Sequence, residues 1–203
     1  HCRLRRQRQM CIRDRFGCNP NGIRDDALKN HLQHSMDLDI DIQCYSEVNT
    51  NFQRPKIRKK FYEQCNSMDR NSKSTWGTSE TPCDSDFKPG GTGIITRGSS
   101  ANRIKRQGYD KLGRWTWQLL NGEGSCEVLL ISVYQCCRQS NPNAQNTDSR
   151  QKQILLSEDN RADIDSRKFS GKTSRLSSNH FARQINQLLL SLLVTGTRFF
   201  VMT

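Results

Sequence analysis

Apolar residues are scarce in this sequence: they fill only 33% of its 203 positions, and the mean hydropathy is -0.84. A compact core must therefore be drawn from a few apolar runs, with long polar loops between them. No run is long enough to cross a bilayer. Leu188 to Val194, the richest in leucine, is broken by Thr195-Gly196-Thr197-Arg198, so a membrane span is not expected. The first fifteen residues lack the apolar segment of a secretory signal and carry six arginines instead, which makes an intracellular setting, nuclear or cytoplasmic, the expectation. Cys-x-x-Cys pairs are missing among the nine cysteines, as is any matching histidine spacing, which sets zinc aside. Cys44 and Cys126 lie in apolar runs and read as small buried hydrophobes of a reducing compartment. No repeat is visible, so solenoids and propellers are excluded, and the length suits one domain.

What the chain has in excess is positive charge. Its 32 lysines and arginines against 20 acidic residues give +12 and a pI near 9.5, a balance that favours a polyanion, nucleic acid first, with a merely solvated basic surface as the alternative. Residues 1–15 change composition so abruptly that they read as a basic leader, possibly non-native, ahead of a domain over 16–203; a phosphate-gripping arm is the other reading.

The remaining pattern alternates helix and strand. Asp25 and Asp26 precede Ala27, Leu28, His31, Leu32 and Ser35 at helical spacing and predict a short helix with an acidic N-cap. A strand is expected from Ile40 to Ser46, and a basic helix from Pro55 to Gln64. Asn66 to Asp86 reads as loop, and Gly90-Gly91 as a turn feeding the strand Thr92-Gly-Ile-Ile-Thr. Trp115 to Leu120, Asn121-Gly122 and Glu127 to Tyr134 form the clearest signal, a β-hairpin. Residues 140–148 and 157–175 read as loops around a short helix at 150–156. A leucine-faced helix over 181–194 then leads to a terminal strand, Arg198 to Met202.

Four short stretches could carry chemistry. Glu47, in Cys44-Tyr-Ser-Glu-Val-Asn-Thr-Asn51, falls at the carboxyl end of a strand, where α/β sheets bind ligands, and its carboxylate is a hard oxygen donor for Mg²⁺; a solvated strand-end glutamate is the alternative. Asn19 and Asn21 flank Pro20 before Gly22 and could offer amides to a phosphate or carboxylate, or simply build a turn. Tyr134, closing Ile131-Ser-Val-Tyr, could donate its hydroxyl to a phosphate oxygen or sit satisfied in the core. Arg114, in Gly113-Arg-Trp, could touch phosphate or be solvated, and Trp115 and Trp117 read as sheet packing rather than base stacking.

Taken in chain order, from Asn19-Pro-Asn21 through Glu47 and Lys88-Pro-Gly-Gly-Thr92 to Gly113-Arg-Trp and Tyr134, the stretches resemble the endonuclease/exonuclease/phosphatase superfamily. Within it the chain is most similar to the exonuclease III-like endonuclease domains that accompany reverse transcriptases in non-LTR retrotransposons. The resemblance runs from about Phe16 to Thr203 and implies an α/β fold, a four-layer α/β/β/α sandwich of two packed mixed sheets flanked by helices, incomplete at its C-terminus. It implies catalytic roles for Asn19, Glu47 and Tyr134, with Glu47 as ligand of Mg²⁺ or Mn²⁺, and phosphate binding by Asn21, Asn49, Asn51 and Arg114. The implied reaction is hydrolysis of nucleic-acid phosphodiesters, as in target-site nicking for a retroelement, with DNA first and RNA second as substrate and a reverse transcriptase as a possible neighbour in the polyprotein.

Two departures accompany the match. Ile12-Arg-Asp-Arg-Phe16 is more charged than the family's first strand, and the family's Gly-Asp-Phe-Asn motif and Asp-His pair have no counterpart before Thr203, His180 included. The fragment is therefore expected to be weakly active or inactive. A non-catalytic basic nucleic-acid-binding module, a superfamily phosphatase acting on a lipid or inositol head group, and a decayed element copy are the competing readings.

Overall fold

The computed structural model of the chain describes residues 15–122, 126–134, 149–151, 153–154 and 198–202. Two four-stranded sheets carry the fold. The first has the order β1 (Arg15–Cys18), β2 (Ile42–Ser46), β4 (Thr92–Thr96), β3 (Lys73–Gly77); the second runs β5 (Ile104–Tyr109), β6 (Trp115–Asn121), β7 (Glu127–Val133), β8 (Arg198–Met202). Both are mixed: β1 pairs with β2, and β7 with β8, in parallel, while the other neighbours are antiparallel. Helices α1 (Asp25–Asp37) and α2 (Pro55–Met68) belong to the first sheet, and a single turn, α3 (Gly98–Ala101), links the two sheets. This is an α/β fold of packed sheets plus helices. None of the described helices is long and apolar enough to cross a membrane.

Strand alternation sorts the side chains. Tyr45, Trp76 and Ile95 join Leu28 and Leu32 of α1 and Phe61 and Cys65 of α2 in an aromatic-rich core, where Trp76 stacks on Phe52 with ring centroids 4.8 Å apart. On the opposite face Ile42, Cys44 and Ile94 meet Leu120, Val128 and Leu130 of the second sheet. Polar groups interleave there: the Thr92 and Thr116 hydroxyls lie 2.7 Å apart, Gln118 donates to Thr75 at 2.9 Å, and the Ser132 hydroxyl donates to the Tyr45 carbonyl at 2.8 Å. The outward face of β6 and β7 buries Trp115, Leu119, Leu129, Ile131 and Val133, with Trp117 packed against them. The two tryptophans thus pack the sheet, as their alternation predicts.

Several sequence expectations change in detail. The α1 N-cap is Arg24, with no side-chain cap; Asp25 is the first residue of the helix itself rather than its cap. Helix α2 continues past Gln64 to Met68, because Phe61 and Cys65 share one buried stripe. The expected strand start at Ile40 moves to Ile42, since the Ile40 N–H turns back to the Ser35 carbonyl. Asn66 to Asp86 is not all loop: β3 lies inside it, a polar edge strand whose pairing with β4 supplies what its own apolar content does not. Strand β5, with exposed Lys105, Arg106 and Gln107, likewise escapes a pattern reading. Despite the charge before it, Arg15-Phe-Gly-Cys18 forms β1. Residues 149–151 and 153–154 are helical near the expected short helix. The loops at 140–148 and 157–175, the helix at 181–194 and residues 1–14 of the leader lie outside the described residues.

Candidate active site

Parallel pairing of β1 with β2, in register Cys18 to Tyr45, brings the next residues of both strands, Asn19 and Ser46-Glu47, to the same end of the first sheet. Strand β7 reaches that end from the second sheet. Ser132 is fastened to the Tyr45 carbonyl, so Tyr134 lies two residues beyond the bond on one side and Glu47 two residues beyond it on the other. The Tyr134 N–H donates to the Arg114 carbonyl at 2.7 Å, extending the β6–β7 ladder by one rung. Three candidate positions distant in sequence are thus gathered at the carboxyl ends of three strands, where open α/β sheets bind their ligands.

The backbone there is unusual. Among the described residues the non-glycine positions with positive φ are Asn21 (48°), Asp39 (55°), Glu47 (53°) and Asn49 (49°), and all but Asp39 belong to this strand-end region. Asparagine tolerates left-handed backbone; glutamate does so at a cost of about 1–3 kcal/mol, which persists only where the surroundings impose it. Here a bracing turn imposes it. Gly90 and Gly91, at φ 80° and 83°, present carbonyls to the N–H groups of Asn49 (2.8 Å) and Val48 (3.3 Å). The Asn49 side-chain oxygen in return accepts the Gly90 N–H at 2.7 Å. A Cβ on Gly91 would lie 2.8 Å from a Val48 methyl, so no other residue fits the turn without displacement. Gly90-Gly91 is therefore more than a strand-initiating turn, a role the sequence alone did not disclose.

The asparagines divide by role. The Asn19 side-chain oxygen accepts the Asn21 N–H at 3.0 Å, and Asn49 donates to the Asn21 side-chain oxygen at 3.3 Å, so Asn19, Asn21 and Asn49 are linked in one exposed or half-buried group that includes a residue two places after Glu47. Asn51 is different. It is fully buried, and its amide hydrogens go to the carbonyls of Cys83 and Ser85, at 2.8 and 2.9 Å. That leaves it none for a phosphate; it organises the 83–86 loop.

Arg114 also departs from both of its readings. Its guanidinium, 5% exposed, grips the Asp110 carboxylate through Nε at 2.8 Å and Nη2 at 3.1 Å and lies over the Trp115 ring. It is neither solvated nor presented to a ligand, and it serves the site through the carbonyl that holds Tyr134. Lys88 of the Lys-Pro-Gly-Gly stretch is buried as well, donating to Gln53 at 3.0 Å and to the carbonyls of Ser79 and Thr81; burial lowers its pKa.

Glu47 itself is half-buried, and its carboxylate makes no hydrogen bond or ion pair with another described residue. Among the described residues no group of three or more His, Cys, Asp or Glu is placed to share a metal. A single carboxylate beside neutral amide oxygens still suits Mg²⁺, which keeps most of its waters and takes one or two carboxylates plus substrate phosphate. It does not suit Zn²⁺, whose sites use several nitrogen or sulfur donors.

No family model and no curated protein matches the chain. Among solved structures it is similar to the AP endonuclease LMAP from Leishmania major (17% identity over 60% of this chain and 40% of that one, TM-score 0.43). It is similar also to an endonuclease/exonuclease/phosphatase family protein from Leptotrichia buccalis C-1013-b (13%, 72% and 62%, 0.39) and to the APE2 catalytic domain of Xenopus laevis (18%, 64% and 46%, 0.39). The chain therefore spans less than two thirds of each. At these identities and TM-scores the likenesses leave the chemistry of the site to its own geometry.

Proposed function

We propose that this chain is part of a divalent-metal-dependent nuclease of the endonuclease/exonuclease/phosphatase type, acting on DNA, with target-site nicking for a retroelement as its setting. The observation that carries the reading is Glu47: a carboxylate without a partner among the described residues, on left-handed backbone, braced by Gly90-Gly91 at the carboxyl end of β2. No hydrogen bond or ion pair in the packing requires a glutamate there, and the strained backbone holds one at the sheet end that the Asn19 and Tyr134 strands also reach.

Glu47, with an amide oxygen of Asn19 or Asn21, would hold Mg²⁺ or Mn²⁺, which supplies Lewis-acid polarisation of the phosphoryl oxygen when bound. The chain's own residues do the positioning. Tyr134 donates its hydroxyl to a non-bridging phosphate oxygen, the Asn19 amide donates to another, and the basic surface holds the strand by its backbone. Hydrolysis also needs a group that takes the proton of the attacking water, a role this reading assigns to no residue, so turnover is not the property it predicts most directly.

Binding therefore makes the sharper test. In fluorescence anisotropy with a labelled duplex oligonucleotide, Mg²⁺ should tighten binding by the wild-type chain. Glu47→Gln should remove that increment and leave the salt-sensitive, metal-free binding in place. An unchanged Mg²⁺ response in Glu47→Gln would overturn the proposal in favour of a non-catalytic basic module, the reading that the net charge alone supports.

A further inference from the structure

A cavity of about 380 Å³ opens at the free edge of the first sheet, lined by Gln53, Arg58, Trp76, Thr78, Glu80 and Tyr109 together with Phe52. Its volume lies in the usual range for small-ligand sites. It sits at the site's own end of the sheet, because Ser46, Thr92 and Gly77 share one register row, so Thr78 follows β3 just as Glu47 follows β2. Two strand spacings, about 10 Å, separate the two positions across the sheet.

We infer that this cavity is a base pocket: it takes one unstacked nucleobase of the strand whose phosphate lies at Glu47. The inference rests on the nuclease reading for its ligand and on three observations for its chemistry. Tyr109, 44% exposed, offers a ring face, and it reaches the cavity only because Gly77 lacks a Cβ, which would lie 2.6 Å from that of Tyr109. Trp76 is 91% buried, and its indole N–H has no acceptor among the described residues. The Cε3–Cζ3 edge of the indole rests on Gly93, so the N–H, on the opposite edge, faces away from β4. A buried donor left unpaired on a residue that lines the cavity is one that an acceptor from outside the fold would satisfy if the wall adjusts to admit it.

Glu80 and Gln53 complete the hydrogen-bonding set. The exposed Glu80 carboxylate can only accept, while the Gln53 side-chain oxygen is held by Lys88, which leaves its NH₂ to donate. Donors beside an acceptor next to a ring face match the edge of a nucleobase. The carboxylate at the same time excludes a phosphate from the cavity. Arg58, whose Nε and Nη2 are anchored on the Phe52 carbonyl, stands at this wall as the cation for the adjoining phosphate. A base reaches the cavity only when it leaves its stack, so single-stranded or frayed sites are preferred over intact duplex.

Anisotropy with a labelled single-stranded oligonucleotide and an abasic oligonucleotide of the same length, at one salt concentration, tests this. The base-bearing strand should bind the full chain about tenfold more tightly, the scale of one stacked base. Tyr109→Ala, at an exposed position, and Trp76→Phe, which keeps a ring but loses the N–H, should each bring the ratio close to one, with circular dichroism verifying the fold. Glu47→Gln should leave the ratio intact. Equal affinity for the two strands, or a preference that survives both variants, overturns the base pocket while the Mg²⁺ response keeps the nuclease reading standing. Loss of binding to both strands by the wild-type chain overturns the two together.

Discussion

Inside the sheet assembly Asp110 and Arg114 are 4% and 5% exposed and close on each other through two side-chain hydrogen bonds, with the Arg114 N–H adding a third. Lys88 is surrounded by acceptors, and Arg97 spends Nε and Nη2 on the carbonyls of Ile40 and Ser35. At the strand ends Glu47 has relaxed backbone and partners denied to it alike. The contrast separates two uses of charge. A buried ion with its hydrogen bonds filled fixes architecture, whereas a half-buried carboxylate kept without a partner on costly backbone is explained by something that arrives later.

The largest effect is expected where the satisfied pair is broken. Asp110→Asn leaves the Arg114 guanidinium without its carboxylate and should cost about 3–5 kcal/mol, a fall in melting temperature of roughly 10 °C by calorimetry. It should also loosen the 110–114 turn, where Gly113 at φ 70° passes within a Cβ's reach of the Ser79 nitrogen. A near-neutral result would mean that the pair does not organise this turn.

Burial raises the thiols of Cys18 and Cys65 to about 11 and that of Cys44 to about 12, from 9.0. For an acid whose folded pKa is raised, the stabilisation is complete below the unfolded pKa and is lost as pH climbs toward the folded one. Stability should therefore decline above pH 9.0, each thiol contributing at most about 1.4 kcal/mol per pH unit. The lowered pKa of Lys88 works the other way below 10.5 and softens the decline. Urea titrations of the wild type and Cys44→Ala across this range should show a shallower slope in the variant; equal slopes would show that this thiol does not drive the alkaline loss.

The smallest change sharpens the comparison most. Glu47→Gly suits φ 53° and should leave stability unchanged or raise it by about 1 kcal/mol while abolishing the Mg²⁺ response. A destabilisation of more than about 1 kcal/mol would assign Glu47 to architecture instead.

Much of this arrangement was legible beforehand. Helices α1 and α2, strands β2, β4 and β8 and the β6–β7 hairpin announce themselves through apolar spacing, glycine turns and tryptophan alternation. Strands β3 and β5 do not, because their residues are polar and only pairing makes them strands. The site residues were named from motif order, yet Asn51 and Arg114 carry the same residue types as phosphate binders and are consumed by internal bonds. Residue type states what a group can bond to; which partner it meets depends on neighbours far along the chain.

The sequence by itself determined the basic charge, the strands and helices with strong periodicity, and the presence of Glu47 after an apolar strand. Only the tertiary structure decided that the strands before Asn19, Glu47 and Tyr134 end on one side, that Gly90-Gly91 braces the residues just after a left-handed Glu47, and that Trp76, Glu80 and Tyr109 line a cavity. The physical reason is that local propensity acts over a few residues, whereas sheet register and the packing of one sheet on another set positions between residues dozens apart.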